Sequence, residues 1–280
     1  MTAAARPRRV RRPKTAVASE PQHEWTEVAE EWLEFTPQSL WRRHSDAVNS
    51  ILLERWMPAA VVDRVLKTDL FDEAVANGLY PMLATHARSV VALDISPTVS
   101  KAATRKYPGI GAFSGDVRSL PAAPSSFDAV VSLSTLDHFE CEAEIERALR
   151  ELFRVLKPGG TLIVTLDNAL NPVIALRNRL PYSLTHGAGL VPYPVGRTLF
   201  PTRARDVVAS AGFEVLECTA IMHAPRVLAI PLMKALDRAG KSARQPRLLD
   251  AAMRFEFLER LPTRFLTGHF IAIKAGKPAA

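Results

Sequence analysis

The first regular pattern of apolar residues runs from Gln38 to Met57. Within it, the large apolar side chains recur at the spacing of one face of an α-helix. They are Leu40, Trp41, Val48, Ile51, Leu52 and Trp56. Pro58 follows, and a proline does not continue a helix. The pattern therefore predicts an amphipathic helix ahead of the main domain, in an N-terminal helical cap that spans residues 23–60.

From residue 61 onward, short apolar runs alternate with segments of helical spacing. The predicted strands are Val61–Phe71, Ser89–Asp94, Ile110–Gly115, Phe127–Leu133 and Thr161–Leu166. The predicted helices between them are Asp72–His86, Pro97–Tyr107 and Cys141–Leu156. Strands that alternate with helices form βαβ units, whose right-handed crossovers give a parallel sheet covered by helices on both faces. The pattern thus predicts a doubly wound α/β fold with a Rossmann-like architecture.

The alternation becomes looser beyond Leu166, where we expect two inserts, at about 169–201 and 224–262. The regular elements predicted outside the inserts are a helix at Thr202–Ala211 and strands at Phe213–Met222 and Phe265–Lys274. The first insert is rich in proline and is expected to have little regular structure. The second is expected to hold two helical stretches around a polar segment at 241–247. Because long loops in compact domains often serve function, we expect both inserts on the substrate side.

The net charge of +7 is unevenly distributed. Residues 1–14 carry six basic residues and no acidic one, so the rest of the chain has a net charge of only +1. Proline, alanine and arginine dominate this start, and we expect a disordered basic tail at residues 1–22. The tail could contact RNA or an anionic membrane, or it could be a solvated extension without function. The nearly neutral remainder gives no reason to expect a specific nucleic-acid partner.

Several features bear on the cellular compartment. No apolar run reaches the roughly 18–20 residues that a membrane-spanning helix needs. The basic start is not followed by the apolar core of a signal peptide, so we do not expect export. Cys141 and Cys218 form neither a metal-binding spacing nor a disulfide framework, which is typical of a reducing compartment. Together these features predict a cytoplasmic protein without a metal site.

Acidic residues follow the second and third predicted strands. In an open parallel sheet, ligands bind beyond the carboxyl ends of the strands, in the crevice where strand order reverses. Asp94 ends the second strand, where a carboxylate can hold the diol of a nucleoside ribose. Because Ser96 and Pro97 follow, Asp94 could instead cap the next helix. Asp116 follows the third strand and could accept a hydrogen bond from an adenine amino group or form a turn.

The turn after the first strand indicates the class of cofactor. A dinucleotide needs glycines here, so that backbone N–H groups can approach the pyrophosphate, but the nearest glycine is Gly78. Asp69, Asp72 and Glu73 lie in this turn, and their charges would repel a phosphate. The same carboxylates would attract a sulfonium cofactor that carries an ammonium group. They could also do no more than stabilise the N-terminus of a helix.

Four segments of the chain resemble motifs of the class I S-adenosylmethionine-dependent methyltransferases, both in their order and in their spacing. The resemblance is close to the ubiquinone-biosynthesis-type family. The segments are Val91–Ser96, Gly115–Val117 with Leu120 and Pro121, Phe127–Ser132, and Leu152–Gly160. The most specific part is Lys157-Pro158-Gly159-Gly160, in which the two glycines are expected to form a tight helix-to-strand turn. The resemblance covers residues 61–168 well and residues 202–274 loosely.

The resemblance implies a mostly parallel seven-stranded sheet with an antiparallel last strand, in a methyltransferase domain at 61–280. It also implies S-adenosylmethionine as the cofactor. The implied cofactor-binding residues are Thr68, Asp69, Phe71, Asp94, Ile95, Asp116, Val117 and Ser134. The chain departs from the family at the first turn, where Lys67–Glu73 replaces an acidic residue followed by Gly-x-Gly. This departure motivates a second hypothesis, a catalytically silent Rossmann-like binding or scaffold protein.

Methyl transfer from a sulfonium is an in-line displacement that depends mainly on positioning, and an oxygen or carbon nucleophile often needs a base as well. His138, just beyond the fourth strand, is the candidate base because histidine titrates near neutral pH. His44 and His186 are weaker candidates on the expected caps of the site.

The inserts suggest the acceptor. The first insert mixes polar and aromatic side chains, namely Asn171, Arg177, Tyr182, His186 and Tyr193. The second interleaves apolar residues with cations over 226–238, a pattern that can contact a membrane surface, cover a lipid-like substrate or simply pack on the core. We expect the two inserts to enclose a small-molecule or lipid-like acceptor. The sequence predicts neither the atom that is methylated nor the oligomeric state.

Overall fold

The computed structural model describes residues 39–181, 195–225, 229, 231–232, 235 and 245–279. The predicted basic tail, residues 23–38 of the predicted cap, His186 and most of the 226–238 segment lie outside the described residues. Within the part that is described, no helix is both long and apolar enough to cross a membrane.

A seven-stranded sheet forms the centre of the fold, with strand order β3-β2-β1-β4-β5-β7-β6. Its strands are β1 (Val62–Lys67), β2 (Ala87–Asp94), β3 (Gly111–Ser114), β4 (Phe127–Ser132), β5 (Leu156–Asp167), β6 (Glu214–Ile221) and β7 (Phe270–Gly276). The first five strands pair in parallel, whereas β7 is antiparallel to both of its neighbours. This confirms the Rossmann-like fold and its antiparallel last strand. Strand order reverses between β1 and β4, which is where the crevice of such a sheet opens.

Helices cover both faces of the sheet. They are α1 (Ser39–Trp56), α2 (Phe71–Val75), α3 (Tyr80–His86), α4 (Pro97–Lys106), α5 (Glu142–Val155), α6 (Pro172–Arg179), α7 (Pro201–Ser210), α8 (Gln245–Arg254) and α9 (Arg264–Thr267), with 3-10 helices at Leu136–His138 and Phe255–Arg260. Successive residues of a strand face opposite sides of the sheet. In β4, Val130 joins the core beneath α5 and α7, while Ala129 and Val131 join the core beneath α1, α3 and α8.

The predicted amphipathic helix is α1. Of the six apolar residues that defined the predicted helix, five have buried side chains and Ile51 is 55% exposed. The indole N–H of Trp56 donates to Glu217 of β6 at 3.0 Å, which fixes the end of α1 against the sheet. At the other end, Arg42 reaches the crevice near β1.

The segment predicted as one helix at Asp72–His86 forms two short helices, α2 and α3. Gly78 lies between them with φ +65, a backbone conformation that favours glycine. A carboxylate oxygen of Glu73 accepts hydrogen bonds from the amides of Leu79 and Tyr80, at 2.8 and 3.1 Å. These bonds take up the backbone donors at the start of α3, so the chain turns where a continuous helix was expected. The first strand also ends at Lys67 and not at Phe71.

The prediction of a glycine turn between α5 and β5 was wrong. Strand β5 begins at Leu156, directly after the helix. Phe127 pairs with Leu156 and Ala129 pairs with Thr161, so the register shifts and Lys157–Gly160 form an irregularity inside the strand. Gly159 adopts φ +75, and its amide donates to the carbonyl of Lys277 at 2.8 Å.

The first insert has more regular structure than its prolines suggested. Asn171 caps α6 by accepting from the amide of Val173 at 2.9 Å, and Pro172 occupies the first helical turn, where proline is tolerated. Arg177 of this helix forms a 2.7 Å ion pair with Asp167 at the end of β5.

Two other boundaries differ from the sequence prediction. The polar segment expected at 241–247 already belongs to α8 from Gln245 onward, and the residues before it lie outside the described part. The strand predicted at Phe265–Lys274 begins only at Phe270, because residues 264–267 form the short helix α9.

Candidate active site

A pocket of about 450 Å³ opens at the carboxyl ends of β1, β2 and β4. Its volume lies in the range of about 300–1,000 Å³ that is usual for small-molecule sites. All nine residues predicted for cofactor binding or catalysis line it: Thr68, Asp69, Phe71, Asp94, Ile95, Asp116, Val117, Ser134 and His138. Parallel strands end at one edge of a sheet, which explains why residues far apart in sequence meet here.

The first turn is held together by charged side chains. The ammonium of Lys67 donates to carboxylate oxygens of Asp69 and Glu73, both at 2.9 Å, and to the backbone carbonyl of Asp69 at 2.7 Å. Lys67 and Glu73 are buried. Although burial favours a neutral lysine, the charges of Asp69 and Glu73 raise the pKa of Lys67. A compact ionic cluster therefore occupies the place where the resembled family has glycines.

Hydrogen bonds between hydroxyl groups also stabilise this turn. The hydroxyl of Thr68 donates to Ser132 at 2.9 Å and lies 2.9 Å from the hydroxyl of Thr135. These bonds join the end of β1 to the end of β4. They fix the floor of the pocket between the two strands where strand order reverses.

Asp94 lies at the centre of the pocket wall. One carboxylate oxygen accepts from the amide of Leu70 at 3.0 Å, and the other accepts from the amide of Ser96 at 2.8 Å. Burial raises the pKa of Asp94 to about 6, against the lowering effect of these hydrogen bonds. Ser96, and not Asp94, is the N-cap of α4, because its hydroxyl accepts from the amide of Val99. The alternative role of Asp94 as the helix cap is therefore wrong.

Asp116 forms a turn and an ion pair. Its carboxylate accepts from the amide of Arg118 at 2.8 Å and from the guanidinium of Arg118 at 2.6–3.0 Å. Burial raises the pKa of Asp116, but the hydrogen bonds and charge of Arg118 outweigh burial and lower it. The predicted turn is present. An adenine amino group would have to share a carboxylate that Arg118 already engages.

Ser134 holds a strained backbone conformation at the pocket, with φ +51. Its amide donates to the hydroxyl of Thr165 at 2.8 Å, and its own hydroxyl donates to Asp137 at 3.2 Å. Asp137 is buried, which raises its pKa, and the charge of Asp167 raises it further. Among the described residues, its second carboxylate oxygen has no hydrogen-bond partner. These contacts fix the loop that leads from β4 into the 3-10 helix of His138.

His138 lines the pocket, and its backbone is covered by the chain before α7. A Cβ atom on Gly196 would lie within 2.6 Å of backbone atoms of Asp137, His138 and Phe139. The amide of Arg197 donates to the carbonyl of Phe139 at 2.6 Å. This close backbone contact, which only glycine permits, fixes the position of His138.

The weaker candidate His44 does not line this pocket. It is fully buried under α8, with a ring nitrogen 3.8 Å from a carboxylate oxygen of Glu256. Burial lowers the pKa of His44 to about 4. His44 therefore belongs to the core, while His186 lies outside the described residues.

Sequence reasoning missed several residues that line the pocket: Arg42, Arg118, Phe139 and Glu144. Arg118 was detectable in principle, because it follows Asp116 by two residues at a strand end. Arg42 had no such signal, because the sequence does not show where α1 packs relative to the sheet.

Residues 71–164 match a family model described as a methyltransferase domain. A probable S-adenosylmethionine-dependent methyltransferase of Mycolicibacterium smegmatis is 28% identical over 142 residues, which cover 51% of this chain and 50% of the relative. The demethylmenaquinone methyltransferase of Renibacterium salmoninarum is 44% identical over 75 residues, which cover 27% of this chain and 30% of the relative. The chain thus spans half or less of the length of these two relatives.

Solved structures share this fold over more than four fifths of the chain. An S-adenosylmethionine-dependent methyltransferase from Mesorhizobium loti aligns with a TM-score of 0.55 at 18% identity, covering 83% of this chain and 99% of that one. Geranyl diphosphate C-methyltransferase from Streptomyces coelicolor aligns with a TM-score of 0.56 at 11% identity, covering 82% of this chain and 77% of that one. Residues 71–164 thus match a methyltransferase domain, and the described sheet has the fold of class I, S-adenosylmethionine-dependent methyltransferases.

Proposed function

We propose that the chain transfers a methyl group from S-adenosylmethionine to a small-molecule or lipid-like acceptor. The observation that carries this proposal is the convergence of the nine predicted strand-end residues on one pocket. The donor set fits the cofactor. Asp94 offers a buried carboxylate to a ribose diol, and Asp69 offers an acidic wall to an ammonium and a sulfonium. When bound, the sulfonium supplies the methyl group for an in-line displacement.

We assign roles to the other pocket residues from their positions. Asp116 and Val117 line the end of the pocket that would hold the adenine, next to Arg118. Thr68 joins the ends of β1 and β4 through its bond to Ser132, and Ser134 joins the end of β4 to β5 through Thr165. His138 lines the same pocket, where it could accept a proton from an acceptor hydroxyl or carbon acid.

Replacement of His138 by glutamine is expected to slow methyl transfer by about 100- to 10,000-fold, the usual contribution of a general base. Cofactor affinity should stay the same, since the proposed role concerns the acceptor. The measurement is single-turnover transfer from labelled S-adenosylmethionine to demethylmenaquinone, the acceptor in the name of one relative. His86→Gln, in α3 and outside the pocket lining, is the matched control. Equal rates for the two variants would exclude His138 as the base.

Exposed apolar residues favour a lipid-like acceptor. They lie on or directly beside α6, α9 and the 3-10 helix Phe255–Arg260, and they include Leu170, Val173, Leu176, Leu180, Phe255, Phe257, Leu261 and Leu266. The amide of the Asn171 side chain donates to the carbonyl of Thr267 at 3.0 Å, which joins α6 to α9. Exposed arginines at 179, 254 and 260 accompany the apolar residues, as in surfaces that contact anionic membranes.

The described part of the second insert packs on the domain and does not enclose the pocket. Ala252 of α8 is buried in the core with α1, and Leu248, Leu249 and Met253 pack against that core. Glu256 accepts from the amides of Met222 and His223, at 3.1 and 2.9 Å. The alternative of a helix packed on the domain is therefore the better interpretation of residues 245–260. A contribution of 226–244 to the acceptor site stays a prediction.

A second candidate function is a silent binding protein, and one observation favours it. The first turn presents the side chains of Asp69 and Phe71 to the pocket in place of glycines, and Arg118 engages Asp116. Calorimetric titration with S-adenosylmethionine tests both functions. Saturable binding followed by transfer of label into a lipid extract would support the enzyme, and binding without transfer to lipid or polar extracts would support the silent protein. No binding would contradict the proposed function.

A further inference from the structure

Arg42 brings a cation from α1 to the first-turn end of the pocket. Its side chain is only 12% exposed and forms an ion pair with Asp72 at the start of α2. The guanidinium carbon also lies 4.8 Å from the centre of the Phe71 ring, a cation–π distance. Arg42, Phe71 and Asp72 all line the pocket. The side chain is therefore positioned by contacts on two sides.

The cations near the first turn differ in whether they line the pocket. Lys67 does not line the pocket, and its ammonium is engaged by Asp69 and Glu73. Among the residues that line the pocket, the cations are Arg42 and Arg118. Arg118 follows β3, where it forms ion pairs with Asp116 and Glu144. Arg42 is thus the cation that the fold presents beside the first turn.

We propose that Arg42 binds the carboxylate of the amino-acid end of S-adenosylmethionine, while Asp69 receives the ammonium group. The inference rests on the proposed function. A zwitterion needs one cation and one carboxylate close together, and Arg42 contacts Phe71 and Asp72 in the same turn as Asp69. A guanidinium has five N–H donors, so one arginine can donate to more than one carboxylate. The N-terminal helix would then complete a cofactor site that the first turn does not form with glycines.

The test compares two ligands that differ at this end only. S-Adenosylhomocysteine carries the amino and carboxylate groups, whereas 5′-methylthioadenosine lacks both. Arg42→Gln should weaken binding of S-adenosylhomocysteine by about 10-fold or more, the loss expected for hydrogen bonds to a charged group. Binding of 5′-methylthioadenosine should stay unchanged. Arg43→Gln, the exposed neighbour on the same helix, should change neither affinity.

A further variant separates ligand binding from a structural role. Asp72→Asn breaks the same ion pair but keeps the guanidinium, so affinity for S-adenosylhomocysteine should remain far above that of Arg42→Gln. Equal losses for both ligands in Arg42→Gln, or equal effects of the two variants, would show that Arg42 only holds α1 against α2 and would overturn the proposal. If the unaltered protein binds S-adenosylhomocysteine but Arg42→Gln binds it equally well, this inference alone fails. If the unaltered protein binds neither ligand, the proposed function fails as well.

Discussion

Replacement of Lys67 by methionine is expected to lower the free energy of unfolding by about 3–5 kcal/mol, because it leaves the buried carboxylate of Glu73 without its partner. Asp69 would lose the same cation, although its side chain is 23% exposed and can be solvated. Denaturant unfolding followed by circular dichroism measures the change. The loss should appear as a lower midpoint with an unchanged slope.

Two further variants identify the cause of that loss. Adding Glu73→Gln to Lys67→Met removes the unpaired charge and keeps an oxygen for the amides of Leu79 and Tyr80, so part of the stability should return. Lys157→Met breaks a 2.6 Å ion pair with Asp128 whose partners are partly exposed, and it should cost no more than about 1 kcal/mol. If Lys67→Met were as mild as Lys157→Met, the cluster would not be a main support of the first turn.

Replacement of Asp94 by asparagine is expected to weaken S-adenosylmethionine binding by about 1.5–3 kcal/mol, the usual value of hydrogen bonds to a charged group. Asparagine has a similar shape but lacks the charge and one of the two acceptor oxygens. Because burial raises the pKa of Asp94 to about 6, its carboxylate is ionised above that pH and protonated below it. In the unaltered protein, affinity should therefore fall as the pH decreases through about 6. Isothermal titration on both sides of this pH measures the effect, and the asparagine variant should lose that pH dependence.

The control for Asp94 is Asp128→Asn. Asp128 also accepts from a backbone amide, that of Arg64 at 2.8 Å, but it lies near the start of β4 and does not line the pocket. Its replacement should leave cofactor affinity unchanged. A folded Asp94→Asn protein that binds the cofactor as tightly as the unaltered protein would remove Asp94 from the site.

The sheet was predictable because its determinants are local. Buried strands such as β4 appear as short apolar runs, and the apolar residues of α5 recur at helical spacing, so both elements can be located within a residue or two. The irregularity at Lys157–Gly160 was not predictable in the same way. It depends on the register between β4 and β5 and on the pairing of Gly159 with Lys277, which lies more than a hundred residues away.

The site was predictable to the extent that it consists of strand ends. Asp94 and Asp116 each follow an apolar run, and the topology then brings them to one edge of the sheet. Arg42 and Gly196 reach the site from elements whose packing depends on the whole core. Their roles could not be inferred from neighbouring residues, because nothing in the local pattern indicates which surface they meet.

The chain between α6 and α7 is fastened on both sides of residues 182–194. The Asn178 side chain donates to Thr198 at 2.8 Å, and the amide of Leu199 donates to the carbonyl of Asp167 at 3.1 Å. Both bonds join residues that lie outside this interval. They therefore fix the positions of the C-terminal end of α6 and of the chain before α7 relative to the end of β5.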